Sequence, residues 1–187
     1  MRLPSLTALA LCLSTGFARA DGEYLQFDLG PTDGTAVGSL ERDGISTGFV
    51  WSRHTDGGSI GVSTTLSRAV AIAGRAVTLR YGPALRFDGD PEIGVKLVAE
   101  SYIPTDWGGV FLIGEIGSID LSYFSMIEAS RSAGGISFAA VATGDDDGYS
   151  ERSLVLAKRL GQSDWRLRLG YRLEARELFL GVALNTF

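Results

Sequence analysis

The sequence predicts an all-β chain, an antiparallel up-and-down meander closed into a barrel. Three observations carry this. Apolar residues recur at period two in run after run, Asp-Gly and Gly-rich turns separate the runs, and no stretch sustains a 3.6-residue period with helix caps. The clearest run is Trp165 to Leu173, WRLRLGYRL. Trp165, Leu167, Leu169, Tyr171 and Leu173 share one face, and Arg166, Arg168, Gly170 and Arg172 share the other. A helix would scatter those arginines around its circumference, whereas a strand collects them on one side.

Met1 to Ala20 reads MRLPSLTALALCLSTGFARA, with a basic start at Arg2, an apolar stretch from Leu6 to Leu13 and an Ala18-Arg19-Ala20 cleavage site. These are the features of a secretory signal peptide, whose apolar part is too short to span a bilayer. The expected layout is a signal peptide over 1–20 and one β-barrel domain over 21–187. Cleavage would remove Cys12, the single cysteine.

The alternation then runs down the chain. Leu25, Phe27 and Leu29 alternate with Gln26 and Asp28, and a weaker run spans Thr35 to Arg42. Phe49 and Trp51 oppose Gly48 and Ser52, and Ile60 and Val62 oppose Gly61 and Ser63. Val77, Leu79 and Tyr81 alternate with Thr78, Arg80 and Gly82; Ile93, Val95 and Leu97 alternate with Gly94 and Lys96. Val110, Leu112 and Ile116 face away from Glu115, and Ile119, Leu121 and Tyr123 oppose Asp120 and Ser122. Ile136 and Phe138 oppose Ser137, Leu154 and Leu156 oppose Ser153 and Ala157, and Leu178, Leu180, Val182 and Leu184 oppose Gly181 and Asn185. Turn chemistry separates them at Pro31–Gly34, Asp43-Gly44, Asp56–Gly58, Asp88–Pro91, Pro104–Asp106, Gly134-Gly135, Asp145–Gly148 and Gly161–Asp164. The spacing predicts about 12 strands of roughly 9–11 residues in hairpin order, with 8 to 12 as the range.

The decisive question is which way the apolar face points. The polar face is unusually small: Gly48, Gly61, Ser63, Gly82, Gly94, Ser122, Ser137, Gly170 and Gly181 all lie on it, and Lys96 and Lys158 are the chain's two lysines. A solvated exterior would carry more Lys and Glu, whereas small residues with a few long ones suit a lumen of limited volume. The expected strand length also matches a tilted crossing of the hydrocarbon layer. In lipid, a closed barrel is the β arrangement that leaves no backbone group unsatisfied.

On these residues the chain resembles the small, porin-like outer-membrane β-barrel proteins of bacteria. The resemblance implies a transmembrane barrel in the Gram-negative outer membrane, in contact with its lipids. It also implies insertion by the barrel-assembly machinery, which would read the terminal aromatic, Phe187. Family members usually carry apolar residues on the face of that aromatic. Here Gly181, Ala183 and Asn185 occupy it, and Leu180, Val182 and Leu184 lie opposite. A soluble periplasmic barrel binding a small ligand is the alternative.

Composition narrows the function classes. A chain with 25 glycines but 45% hydrophobic residues is neither collagen nor low-complexity disorder. One cysteine excludes a disulfide scaffold or a cysteine-based zinc module, and a net charge of -5 argues against nucleic acid as a partner. The lone His54 lies in Trp51-Ser52-Arg53-His54-Thr55-Asp56. Outer-membrane lipid hydrolases carry His-x-Ser-Asn, and here Asp56 and Gly57 stand where the serine and asparagine belong. An outer-membrane lipid hydrolase using His54 is thus a secondary reading, and the expectation is a non-enzymatic monomer without cofactor or metal; Asp145–Asp147 reads as a polar turn.

With the aliphatics facing lipid, Arg80, Arg86, Lys96, Glu100, Glu115, Asp120, Arg166, Arg168, Arg172 and Glu174 become the candidate lumen residues. Mixed signs are expected, because buried charges must pair. Either they interlock and plug a structural envelope protein, or they line a passive channel in which Arg166, Arg168 and Arg172 favour anions locally.

Overall fold

The computed structural model describes residues 21–55 and 57–187; the expected signal peptide, Met1 to Ala20, lies outside the described residues. Twelve strands follow in order: β1 Gly22–Leu29, β2 Gly34–Arg42, β3 Ile45–His54, β4 Gly57–Ile72, β5 Arg75–Asp88, β6 Asp90–Thr105, β7 Gly108–Gly117, β8 Tyr123–Arg131, β9 Ile136–Gly144, β10 Ser150–Arg159, β11 Trp165–Arg172 and β12 Glu177–Asn185. Each pairs antiparallel with the next, and β1 pairs with β12, from Tyr24 opposite Asn185 to Leu29 opposite Leu180. The sheet is a closed up-and-down barrel, which removes every exposed strand edge. No helix among the described residues is long and apolar enough to cross a membrane.

The turns explain where the alternation breaks. Asp43-Gly44 and Ala73-Gly74 both hold positive φ at their two central residues (52° and 76°, 50° and 76°), as a tight hairpin requires. The first is the Asp-Gly signal; the second hides in the sequence, because alanine seldom adopts that conformation. The expected strand beginning at Ile119 is corrected. Ile119–Leu121 forms a short 3-10 turn with positive φ at Asp120 and Leu121, and β8 starts at Tyr123. The expected turn at Pro104–Asp106 moves on, since β6 runs through Thr105. Strand length is uneven: β4, β5 and β6 have 16, 14 and 16 residues, longer than expected.

Register assigns the faces. Trp165, Leu167, Leu169 and Tyr171 sit opposite Leu184, Val182, Leu180 and Leu178, and these in turn sit opposite β1 or β11 residues of the same apolar set. Leu167 is 52% exposed, whereas the adjacent Arg168 side chain is 9% exposed. The exposed set also includes Phe27, Phe49, Trp51, Ile93, Val95, Leu97, Phe138, Leu154 and Leu156. The apolar faces therefore point outward and the charged ones inward. This is inside out for a water-soluble barrel and correct for one standing in lipid.

Candidate functional site

The lumen is built from the inward residues of all twelve strands. Arg80, Arg86, Lys96, Glu100, Glu115, Arg166, Arg168 and Arg172 all occupy inward positions on their strands. Asp120 reaches the same space from the β7–β8 turn, where it pairs with Arg86. Glu174 lies elsewhere: it is exposed in the β11–β12 turn and binds Arg152, an outward residue of β10, at 2.6 Å.

The ion pairs run along the inner wall rather than across the axis. Arg168 on β11 makes a two-pronged contact with Asp28 on β1 (2.9 and 3.1 Å), passing over β12. That path needs Gly181, because a Cβ there would fall on the Asp28 carboxylate. Gln26 donates a further hydrogen bond to Asp28 (2.6 Å), and the Tyr24 hydroxyl donates to Gln26. Arg166 crosses β10 and β9 to reach Glu128 on β8 at 3.0 Å, above Ala157, Ser137 and Ala139, all buried. Arg80 bridges Glu100 (2.8 Å) and Glu41 on β2 (3.5 Å), passing over buried Ser46, Thr65 and Ser67. The small residues on the polar face thus form a floor on which long side chains of neighbouring strands lie flat.

One side of the lumen is fuller than the other. On β8 to β12, Met126, Ala139, Val141, Val155 and Phe179 form an apolar cluster inside the barrel. The Phe179 ring covers Gly170, and the Arg172 guanidinium stacks on that ring 4.7 Å from its centre. The alternation did not reveal this cluster, since both faces of β9 are apolar and the outward residues mask the inward ones. On β3 to β6 the inward positions toward the rim opposite the termini, Gly48, Val50, Gly61, Ser63, Gly82, Ala84 and Gly94, are partly open to water, with Val50 38% exposed, whereas Ser46, Thr65, Ser67 and Val98 on the same strands are buried about Arg80. Arg86, Lys96 and Glu115 face the open part of this side; Lys96 and Glu115 pair at 2.8 Å with 20% and 27% of their side chains exposed.

Several of the carboxylates that neutralise the arginines were not among the sequence candidates. Asp28, Glu41, Glu92, Glu128 and Glu177 each contact a lumen arginine. Their signal was present, since Asp28 lies on the polar side of the Leu25, Phe27, Leu29 run. Arg166, Arg168 and Arg172 each have a carboxylate partner, so the expected anion-favouring stripe on β11 is neutralised.

The two rims differ in charge. The rim opposite the termini holds Asp33, Asp88, Asp90, Asp120, Asp145, Asp146 and Asp147. There burial pushes the Asp33 carboxyl above its usual range despite the nearby Arg172, and the Asp120 charge raises Asp147. Glu174 is held down to about 2, chiefly by the Arg152 backbone N–H. His54 points inward at this rim, its ring 6.3 Å from that of Tyr149. Ser52 and Ser59 hydrogen-bond to each other at 2.9 Å, and no hydrogen bond joins His54 to either among the described residues. No group of described His, Cys, Asp and Glu residues is arranged to hold a metal ion. At the opposite rim Phe187 packs against Gly22, and Thr186 and Glu23 bond to each other's main chain or hydroxyl at 2.8 and 3.0 Å.

No family model matches the sequence, and no curated protein matches it. Among solved structures, the chain is similar to a KdgM porin determined in complex with disordered oligogalacturonate. The TM-score is 0.54 at 12% sequence identity, covering 87% of this chain and 98% of that chain. The likeness is one of fold, and it agrees with the closed antiparallel strand order of this barrel.

Proposed function

We propose that the protein is a narrow, passive outer-membrane channel. Its water path runs along the β3–β6 side of the lumen and favours small neutral or cationic solutes over anions. The observation that carries this is the unequal filling of the barrel. Arg168, Asp28 and Phe179 close one side, while the glycine- and alanine-lined positions of β3 to β6 stay open to water as far as the Arg80, Glu41 and Glu100 cluster. Charge preference follows from the neutralised arginines and from the carboxylates around the mouth, since rings of charge at a constriction set ion preference. The uronate carboxylates of an oligogalacturonate would compete with the carboxylates that already pair with Arg80, Arg86, Lys96, Arg166, Arg168 and Arg172, so acidic oligosaccharides are not part of the reading.

Planar-bilayer recordings test it. Purified protein should give small, stepwise, cation-preferring conductance. A Gly61→Cys variant should lose most of it when a bulky water-soluble thiol reagent is added; a Cβ at Gly61 meets nothing nearer than 3.8 Å, so the thiol is accommodated. Silent insertion at all voltages would leave only a plugged structural barrel. Lipid hydrolysis by His54 draws no support from its inward position or from the mutual bonding of Ser52 and Ser59.

A further inference from the structure

One lipid-facing feature is left unused by a channel. Register places Arg131 opposite Ile136, and Ile136 opposite Lys158, in a single outward row across β8, β9 and β10. Two strand spacings separate the cations, about 10 Å. Both are exposed, and neither side chain makes an ion pair or hydrogen bond with another described residue. Trp107, whose carbonyl accepts from Ser132 at 3.2 Å, stands on one side of the row. Trp165, whose carbonyl accepts from Leu160 at 2.9 Å, stands on the other. The two indoles and Ile136 are 40% to 49% exposed. The row sits at the rim bearing the chain termini, far from the aspartates of the other mouth.

From this juxtaposition we infer that Arg131 and Lys158 form a headgroup site for an anionic phospholipid of the leaflet at the terminal rim. The inference rests on the membrane-spanning reading. Two unpartnered cations at the lower edge of an apolar belt are complementary to a phosphodiester, whose oxygens can accept from both. Tryptophans favour that headgroup depth, because one end of the indole is apolar and the other donates a hydrogen bond. The acyl chains would lie on Phe138 and Leu156, the outward neighbours one step into the belt. Zwitterionic lipids lack the net charge, so the site should discriminate between the two kinds.

The test uses the full mature barrel, reconstituted in phosphatidylcholine vesicles doped with phosphatidylglycerol and examined by native mass spectrometry for co-extracted lipid. Folding of each variant is checked by the gel shift between unheated and boiled samples. The wild type should retain phosphatidylglycerol in preference to phosphatidylcholine. The Arg131→Gln/Lys158→Gln double variant should lose that preference by about tenfold, as two surface cations would supply it. Arg131→Lys should keep it, and so should Arg68→Gln, a lipid-facing cation on β4 outside the row. Unchanged retention in the double variant, or equal loss in Arg68→Gln, would overturn the site. A chain giving no heat-shifted band in vesicles would sink the membrane reading as well, whereas an inserted barrel holding both lipids equally would sink this inference alone.

Discussion

The two sides of the lumen solve the same problem in opposite ways. On the β11, β12 and β1 side, Arg168 and Asp28 are 9% and 6% exposed and enclosed by Gln26, Tyr24 and the space vacated at Gly181. On the β6 and β7 side, Lys96 and Glu115 meet at the same distance class but keep 20% and 27% of their surfaces in water. Distance alone would rank the two pairs as equals. Burial separates them, because a sealed charge that loses its partner has no water to turn to, while a wetted one does. The first side works as a structural brace, whereas the second keeps its charges in contact with water.

The sharpest way to break this comparison is to remove one partner from each side. Arg168→Met should destabilise the barrel by about 3–5 kcal/mol, since Asp28 would be left buried and uncompensated. Lys96→Met should cost about 1 kcal/mol or less, while shifting the reversal potential further toward cations. Urea unfolding from micelles measures the first quantity and a salt-gradient recording the second. Equal destabilisation by the two variants would show that the lumen is uniformly packed.

Phe179→Ala should also cost about 3–5 kcal/mol, because it opens a cavity beneath Arg172 and between Val155 and Ala139. A lipid-facing residue on the adjacent strand provides the contrast. Leu167→Ala should cost about 1 kcal/mol or less, since lipid refills the space and no cavity forms. A larger loss at Leu167 than at Phe179 would reverse the facing of the strands.

The smallest expected effect lies at the rim. Glu174 titrates near 2 rather than near its usual 4.5, so the folded turn favours its ionised form. The contribution to stability is therefore complete above about pH 4.5 and is lost as pH falls toward 2. Asp33 has the opposite sign, because its raised value means that ionisation on raising the pH works against the fold. The amide resonance of Arg152, whose N–H donates to Glu174 at 2.6 Å, should titrate with a midpoint near 2. A midpoint in the ordinary carboxylate range would mean that the turn contact is absent in solution.

Strand existence, order and facing were legible in the sequence because each depends on local periodicity. WRLRLGYRL states its own two faces, and Asp43-Gly44 states its own turn. The Ala73-Gly74 hairpin and the 3-10 turn at Ile119 were not legible. In both, closure of the surrounding sheet imposes positive φ on residues that do not advertise it. Eight of the ten lumen candidates occupy inward strand positions because side-chain parity fixes direction. Parity stops at the strand end, which is why Glu174 turned outward to Arg152.

What the sequence determined by itself was an inverted barrel, since alternation, small polar-face residues and turn spacing are all properties of neighbouring residues. Partnership required the tertiary structure. Asp28 and Arg168 lie 140 residues apart, and they meet only because β12 closes on β1 with a glycine between them. Ring closure sets which residues share a level of the lumen, and no local pattern encodes that level. The sealed ion pair and the wetted one were therefore decided by the closed sheet.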